Sequence, residues 1–464
     1  MYLIPNMNYD NDPCRTIIQD TDNFCHECVA KLILMAHPNQ FKCGSIKHNI
    51  WYQFINHRWI EIDSAYVLRN YISTELIEVY EKYREKLYDS AKALHGDAKS
   101  ECIDKISKIC KIIKQLSNAS FKNGVIKACC NLVYDADFLH NLDENKNLIC
   151  FNNGVYDLEA DTFRDGKPQD NITLCAGYSY IKHNRNSQHH DNIITFLSNI
   201  QPDVEIRKYM MSVLASCLTG SANDGKLYIF NGSNATIMSK LMELMKYTLG
   251  DLVKHMDTID LIPRQASTRD LFAKPDLFSK KGVRICIFDK EDAFICSAMI
   301  KSEFIPFLLC NELPTITKVH NIPEIKVIPF PDIDDLPCSL TKEIPEWGPT
   351  FMSMLISWKE KHHINSALVI PDLVLQSTLA CFVNCNIFKE FIDHCLKNTG
   401  NLRNSINITN LHKLMKDWFK EIHNDKCPTI NKLRRHIANT MSESYSMKYD
   451  ILTGYKIKTI KHLK

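Results

Sequence analysis

The order of apolar and polar positions changes along the chain, and each change predicts a different kind of element. In residues 49–63 aromatic and polar side chains alternate on either side of a short turn, which predicts a β-hairpin. In residues 73–118 apolar side chains recur every three or four positions with a break at 95–97, which predicts two packed helices. Residues 148–180 return to short strands and turns, and a helix is expected at about 193–219.

The middle of the chain contains four short apolar runs, each bounded by turn or polar residues. The first run is followed by an amphipathic helix, expected at Ser239–Leu249. Buried strands separated by helices and loops indicate an α/β domain with a largely parallel sheet. The runs are Leu227–Phe230, Val283–Phe288, Ile305–Cys310 and Ile325–Phe330.

The last part of the chain is predicted to be mostly helical. From Glu346 onward one helix face carries apolar residues between Trp347 and Trp358, and Tyr445–Ile460 is expected to form a two-stranded wing. These changes divide the chain into a mixed α+β N-terminal module, a parallel-sheet core and a helical C-terminal domain. The predicted boundaries are 1–190, 191–345 and 346–464.

Composition narrows the class of protein. The chain has 464 residues, of which 45% are hydrophobic and 24% charged, as in ordinary globular proteins. No apolar run approaches the roughly 18 residues of a membrane span, and the start of the chain lacks the charged region of a secretory signal, so neither is expected. The formal net charge is +2, but residues 426–464 hold nine Lys and Arg against two acids. This basic segment has two interpretations, a solvated tail or a contact with phosphates.

The 19 cysteines are mostly scattered through apolar runs, which indicates reduced thiols in a cytosol-like compartment. One cluster, Cys25 and Cys28 followed by His37 and Cys43, has a spacing that could hold zinc. The same residues also suit the start of an amphipathic helix, and no second Cys-x-x-Cys completes a zinc site. No metal site is therefore assigned.

The segment Lys226–Asp251 has the layout of a phosphate-binding loop: a buried strand, a glycine, a loop and a helix. The motif G-x-x-x-x-G-K-S/T, counted from Gly232, requires Gly at 237 and Lys at 238. These positions are Ile237 and Met238, and only Ser239 agrees. Spacing alone is therefore a weak signal.

Read from end to end, residues 20–460 resemble the primase–helicases of nucleocytoplasmic large DNA viruses. These are poxvirus-type proteins with a superfamily 3 helicase of the AAA+ class, and the resemblance is strongest to giant-virus members. It does not include the primase half of full-length relatives. The matching segments are KHNIWYQFINHRWIEID (47–63), LRNYISTEL (68–76), NNGVYDLEADTFRDGKPQDNIT (152–173), LYIFNGSNATIMSKLMELMKYTLGDL (227–252), FIPFLLCNELPTI (304–316), VIPF (327–330) and YDILTGYKIK (449–458).

The nucleotide loop departs from the family pattern G-x-G-x-N-G-K-S. Here Asn234 and Ile237 stand at the second and third glycines, which puts Cβ atoms where backbone must approach phosphate. Met238 replaces the lysine that reaches the β- and γ-phosphates, and Lys240 comes two positions too late. The resemblance therefore implies a degenerate nucleotide loop.

Other family elements are also altered. After the strand that matches the Mg²⁺-binding strand, Asp289, Glu291 or Asp292 could hold the ion, but Lys290 falls at the family's glutamate. Acids that simply face solvent at a strand end are an equally good interpretation. The hairpin that grips single-stranded DNA has no counterpart before Ser302, and Pro323-Glu324 replaces the arginine-finger pair, whereas the sensor Asn311 remains.

The resemblance thus implies an AAA+-like parallel-sheet helicase core between a mixed α+β module and a winged-helix-like C-terminal region. We expect a pseudoenzyme associated with viral DNA replication that acts as a DNA- or protein-binding scaffold. The alternative is an active ATP-dependent helicase with a non-standard loop, for which ATP and Mg²⁺ would be the cofactors. No cofactor is otherwise assigned.

The candidate residues fall into two sets. A vestigial nucleotide site comprises Gly232, Ser233, Asn234, Ser239, Asp289, Glu291 and Asn311. A DNA-contacting basic tail comprises Lys456, Lys458, Lys461 and Lys464. The expected partners are viral DNA and other replication proteins, without a membrane and with the oligomeric state left open. The expected location is the viral factory in the cytoplasm of the infected cell, with packaging in the virion as an alternative.

Overall fold

The structure described is a computed structural model. It shows a mixed α/β protein with many helices. It divides into two compact units, Met1–Cys175 and Ala176–Lys464. The described residues are 12–219, 226–256, 281–289, 303–313, 324–333, 341–362, 369–422, 427–441 and 444–458. No helix among these residues is long and apolar enough to cross a membrane.

The first unit combines helices with two antiparallel three-stranded sheets, β1-β2-β3 and β4-β5-β6. Its helices are α1 (Asp12–Gln19), α2 (His26–Ala36), α3 (Tyr66–Ser73), α4 (Glu75–Ala93), α5 (Gly96–Ser117), α6 (Ala119–Val133) and α7 (Phe138–Asn141). Its strands are β1 (Phe41–Ser45), β2 (Ile50–Ile55), β3 (Arg58–Ile62), β4 (Leu148–Phe151), β5 (Gly154–Asp157) and β6 (Thr162–Arg164).

Two predictions for this unit are confirmed. The hairpin is β2–β3, whose turn residues Asn56 and His57 both have positive φ, as a two-residue type I′ turn requires. The hairpin buries Trp51 on one face and Trp59 on the other, at 0% and 1% exposure. The helical pair is α4–α5, separated at His95.

The second unit is built around a five-stranded sheet of order β11-β7-β10-β9-β8, and every neighbouring pair in it is parallel. The strands are β7 (Lys226–Asn231), β8 (Val253–Met256), β9 (Ile285–Asp289), β10 (Ile305–Cys310) and β11 (Glu324–Pro329). The helices of the unit are α8 (Gln188–Ile200), α9 (Val204–Ser216), α10 (Ala235–Leu249), α11 (Ile344–His362), α12 (Asp372–Cys395), α13 (Ile408–Ile422) and α14 (Ile430–Thr440).

Helices cover the sheet, which explains the continuous apolar runs in its strands. All six residues of β10 are buried, as expected for a central parallel strand. The edge strand β11 packs against α12, where the Thr378 hydroxyl accepts a hydrogen bond from the Val327 amide at 3.0 Å. The helix α11 packs against α8, α9 and α10. The predicted parallel α/β sheet is therefore confirmed.

The structure differs from the prediction in three elements. The helix expected at 193–219 is two helices, because the Asp203 carboxylate caps α9 by accepting from the amides of Glu205 and Ile206. The helix expected from Ser239 begins at Ala235. The strand β8 was not predicted, since four residues carry too little periodicity to distinguish a strand from a loop.

The end of the second unit forms a small core of its own. It contains α13 and α14, a three-stranded antiparallel sheet β13-β15-β14 and a two-stranded ladder β12-β16. The strands are β12 (Leu396–Asn398), β13 (Ser405–Asn407), β14 (Tyr445–Ser446), β15 (Ile451–Thr453) and β16 (Tyr455–Ile457). The predicted wing therefore contains three strands, because β16 leaves β15 after Gly454 and pairs with β12 instead.

Candidate functional site

The carboxyl ends of β7, β10 and β11 meet at one edge of the parallel sheet. Asn231, the last residue of β7, lies opposite Cys310 on one side and Pro329 on the other. After β7 the chain forms β8 and β9 on the far side of β10. It then returns to β10 beside β7 and continues to β11 on the other side of β7, so the direction of its connections reverses around β7. Such a reversal at the carboxyl edge is where open α/β sheets bind ligands.

The Asn231 side chain occupies this edge. Its amide donates to the carbonyl oxygens of Cys310 at 3.1 Å and Asn311 at 3.2 Å. The Gly232 amide donates to the same Cys310 carbonyl at 3.3 Å, and the Phe330 amide donates to the Asn231 carbonyl at 2.7 Å. The protein's own groups thus tie the three strand ends together.

Gly232 is required by close packing. A Cβ atom built on Gly232 would lie 2.9 Å from the Phe330 Cβ and 3.1 Å from the Phe330 carbonyl oxygen. The glycine that marks a phosphate loop in the sequence therefore lets β7 continue past the end of β11.

The connection from β7 to α10 is short. Only Gly232, Ser233 and Asn234 lie between the strand and the helix. The Asn234 side chain caps the helix by accepting from the Thr236 amide at 3.1 Å. Ile237 and Met238 then lie within the helix at 2% and 0% exposure. The early helix start follows from this cap and from the burial of these two side chains.

A segment after β11 closes the short loop. The Ser233 hydroxyl donates to the Asp332 carboxylate, and the Asn234 side-chain amide donates to the Ile333 carbonyl at 3.4 Å. A carboxylate of the protein therefore stands beside the start of α10, where a helix attracts anions. This negative charge opposes the approach of a phosphate.

The remaining cations and acids are arranged around this edge as follows. Lys240 donates to Glu243 at 2.7 Å, one turn further along α10, and Ser239 lies half-buried in the same helix. Asp289 ends β9 with its backbone opposite Leu309, so it shares the carboxyl edge with Asn311. The predicted residue Glu291 lies outside the described residues.

Helix α14 brings two cations near this edge that the sequence analysis did not assign to it. Lys432 pairs with Glu312 at 3.8 Å. Burial raises the pKa of the Cys310 thiol to about 12, although a hydrogen bond from Asn231 and the charge of Arg435 oppose that shift. No local pattern links these residues, since more than a hundred positions separate them.

The basic tail is described as far as Lys458. Lys456 is exposed on β16 directly opposite the exposed Lys397 on β12, and Lys458 donates to the Asp393 carbonyl at 2.5 Å. Lys461 and Lys464 lie outside the described residues. Like charges opposite each other across a ladder repel, so a bound polyanion would reduce the repulsion between Lys397 and Lys456.

The cysteine cluster does not converge. The Cys25 and Cys28 sulfur atoms are 3.1 Å apart at the start of α2, whereas Cys43 contacts the Cys130 sulfur at 3.2 Å. His37 is buried against the rings of Phe41 and Tyr71, and burial lowers its pKa to about 4. Within the described ranges, no three His, Cys, Asp or Glu side chains are grouped so as to hold a metal ion.

Comparison with known proteins relates this chain to viral proteins. The family described as "D5 N terminal like" matches residues 30–202. A protein of Acanthamoeba polyphaga mimivirus named "Putative helicase" is 38% identical over 96% of this chain and 50% of its own length. A protein of Invertebrate iridescent virus 3 with the same name is 25% identical over 82% of this chain and 49% of its own. The chain thus spans about half the length of these curated relatives.

One solved structure, the apo C-terminal region of NrS-1, covers 57% of this chain and 73% of its own at 14% identity. Its TM-score is 0.31, which is too low for any argument about function.

Proposed function

We propose that this chain, which belongs to the primase–helicase family of nucleocytoplasmic large DNA viruses, serves viral DNA replication as a helicase-like scaffold. In this role it binds DNA and does not hydrolyse ATP. Its partners would be viral DNA and other replication proteins, and its location the viral factory in the cytoplasm. The resemblance to viral helicases supports the role in replication. The geometry of the nucleotide edge supports the absence of turnover.

One observation carries the proposal: the β7–α10 connection has three residues and is filled by the protein itself. A phosphate loop needs backbone amides that surround the phosphates and a lysine that reaches them. Here Asn231 bonds the neighbouring strand end, Asp332 accepts from Ser233, and the residue at the lysine position, Met238, is fully buried. These contacts occupy polar groups of the loop with protein partners and place a carboxylate, rather than a lysine, beside it.

The architecture is consistent with an AAA+-like core followed by a winged helix, as the resemblance implies. In support of the core, a glycine loop, an acid-ended strand and an Asn-ended strand share one edge of a parallel sheet. In support of the winged helix, β13, α13 and α14 precede the β14–β15 hairpin, and β15 pairs with both β13 and β14. The three-domain division remains a prediction.

We expect the purified protein to bind Mg²⁺-ATP with a dissociation constant no lower than about 1 mM, that is, about 4 kcal/mol of binding free energy or less. Asp332 accepts a hydrogen bond from the loop, and Met238 stands where a lysine would reach the phosphates. Isothermal titration calorimetry measures the affinity, and phosphate release with and without single-stranded DNA measures turnover.

A micromolar dissociation constant or DNA-stimulated turnover would contradict this proposal. Either result would instead support the alternative, an ATP-dependent helicase with a non-standard loop. An Asp332→Asn variant sharpens the test, because it removes the negative charge beside Ser233 while preserving a hydrogen-bond acceptor. If ATP binds in this loop, the variant should bind it more tightly than the parent chain.

For DNA, we expect the paired variant Lys397→Gln/Lys456→Gln to bind single strands with a weaker salt dependence. Each phosphate contact contributes a slope of roughly −0.7 to log K against log salt concentration, so losing two should flatten it by about 1.4. Fluorescence anisotropy at several salt concentrations measures the slope. The folded state should not suffer, because the substitutions remove two like charges that face each other.

The matched control is Lys99→Gln/Lys111→Gln, which removes the same charge from exposed positions of α5. It should leave the slope unchanged. Equal slopes for both double variants would mean that Lys397 and Lys456 are merely solvated.

A further inference from the structure

The four-residue turn between β14 and β15, here called the wing tip (residues 447–450), exposes large apolar side chains. Ser446 pairs with Ile451 across the hairpin, so the turn projects beyond the last paired residues. Met447 is 75% exposed and Tyr449 is 63% exposed. The Lys448 ammonium lies 5.3 Å from the centre of the Tyr449 ring. An aromatic face, a thioether and a cation are thus presented together.

The wing tip is held firmly from below. Asp450 has a φ of +52°, and its carboxylate accepts from Arg434 Nε at 2.9 Å, from Arg434 Nη2 at 2.7 Å and from the Tyr445 hydroxyl at 2.7 Å. The Asp450 carbonyl also accepts from the Ile408 amide at 3.1 Å. The Arg434 guanidinium keeps the pKa of Asp450 below its usual value, so the carboxylate stays charged near neutral pH. A tip fixed in this way presents its exposed side chains at little conformational cost.

Cationic side chains of the neighbouring helix α14 contact other residues of the protein. Arg434 binds Asp450, Lys432 pairs with Glu312, and Arg435 lies close enough to Cys310 to affect its pKa. A helix that reads a DNA groove needs such side chains directed at base edges and phosphates. In this protein the wing tip is better suited to contact a nucleic acid than α14 is.

Charge indicates which partner suits the wing tip. Residues 444–458 contain Lys448, Lys456 and Lys458 against a single acid, Asp450, which Arg434 already neutralises. This balance attracts a polyanion. An exposed aromatic ring beside lysines is the arrangement with which proteins stack the bases of single strands.

We propose that Tyr449 is a stacking platform for an unpaired base of DNA, with Lys448 moving from the ring to an adjacent phosphate. This inference rests on the proposed DNA binding and assigns to it a specific contact. Stacking requires an unpaired or terminal base, because bases inside a duplex already stack on each other. The wing tip should therefore prefer single strands and strand ends over continuous duplex.

The test uses the full chain and a short mixed-sequence oligonucleotide that carries 2-aminopurine, whose fluorescence falls when it stacks. Tyr449→Ala should weaken single-strand binding about tenfold and abolish the quenching, since stacking on one aromatic side chain accounts for roughly 1–3 kcal/mol. Its salt dependence should stay unchanged, because no phosphate contact is lost. Tyr449→Phe should retain both affinity and quenching. Lys448→Gln should flatten the salt slope by about 0.7 and retain the quenching.

The matched control is Tyr66→Ala, which removes a tyrosine that is 67% exposed in the other unit and should change nothing. If the parent chain binds the oligonucleotide and Tyr449→Ala binds it equally well with the same quenching, the stacking inference is wrong and the proposed DNA binding stands. If the parent chain binds neither single strands nor duplex, both are wrong. Thermal melting checks that each variant is folded.

Discussion

Met238→Lys should destabilise the folded protein and should not restore nucleotide turnover. A lysine at this position is what the phosphate-loop motif requires, so the change repairs the sequence pattern. In the structure, however, Met238 has 0% exposure and lies inside α10. A lysine there would bury an unpaired ammonium group, which costs about 3–5 kcal/mol. For a unit of this size, such a loss lowers the melting temperature by about 10 °C.

The control for Met238→Lys is Thr236→Lys, which places the same side chain at an exposed position in the first turn of the same helix. Differential scanning fluorimetry of both variants should show a large fall in melting temperature only for Met238→Lys. Turnover should remain at background in both. A normally folded Met238→Lys protein that hydrolyses ATP would show that the loop can open to admit a triphosphate.

Gly348→Ala should be the second most damaging of the changes considered. A Cβ atom at this position would lie 2.3 Å from the Tyr247 carbonyl oxygen and 2.8 Å from the Tyr247 carbonyl carbon. These are backbone atoms of α10, so relief requires α10 and α11 to separate. Overpacking of this kind costs about 2–3 kcal/mol and here outweighs the roughly 1 kcal/mol that alanine normally gains over glycine within a helix.

A second helical glycine gives the comparison. Gly124→Ala places its Cβ against the ring of His26, an exposed side chain that can rotate away. This variant should stay within about 1 kcal/mol of the parent chain. Chemical denaturation followed by circular dichroism measures both. If Gly348→Ala proves as stable as Gly124→Ala, the contact between α10 and α11 is looser than the structure indicates.

Much of the fold could be predicted because its elements have strong local patterns. The alternation of aromatic and polar positions around the turn at Asn56 indicates a hairpin, whose two faces bury Trp51 in one apolar cluster and Trp59 in another. The uninterrupted apolar run of β10 indicates a parallel strand covered on both faces. In both cases the signal lies within about a dozen neighbouring residues, so no distant contact was needed to interpret it.

The candidate site was only partly accessible to the same reasoning. The resemblance to the viral family grouped Gly232, Asn234 and Asn311 in one candidate site, and the strands that precede them, β7 and β10, are neighbours in the parallel sheet. The resemblance also indicated that lysine is missing from position 238. The start of α10 was predicted four residues too late, because residues 235–238 have no local pattern that separates a loop from a helical turn.

Other features depend on contacts between distant parts of the chain. Asp332 meets Ser233 across 99 positions, and Cys310 meets Asn231 across 79. The local order of apolar and polar residues thus predicts a parallel sheet with a glycine after one of its strands. Whether the loop at that glycine is empty, or closed by the protein's own carboxylate, depends on which strand ends come together. Local periodicity carries no information about that choice, because it is made by strand order and packing across the whole sheet.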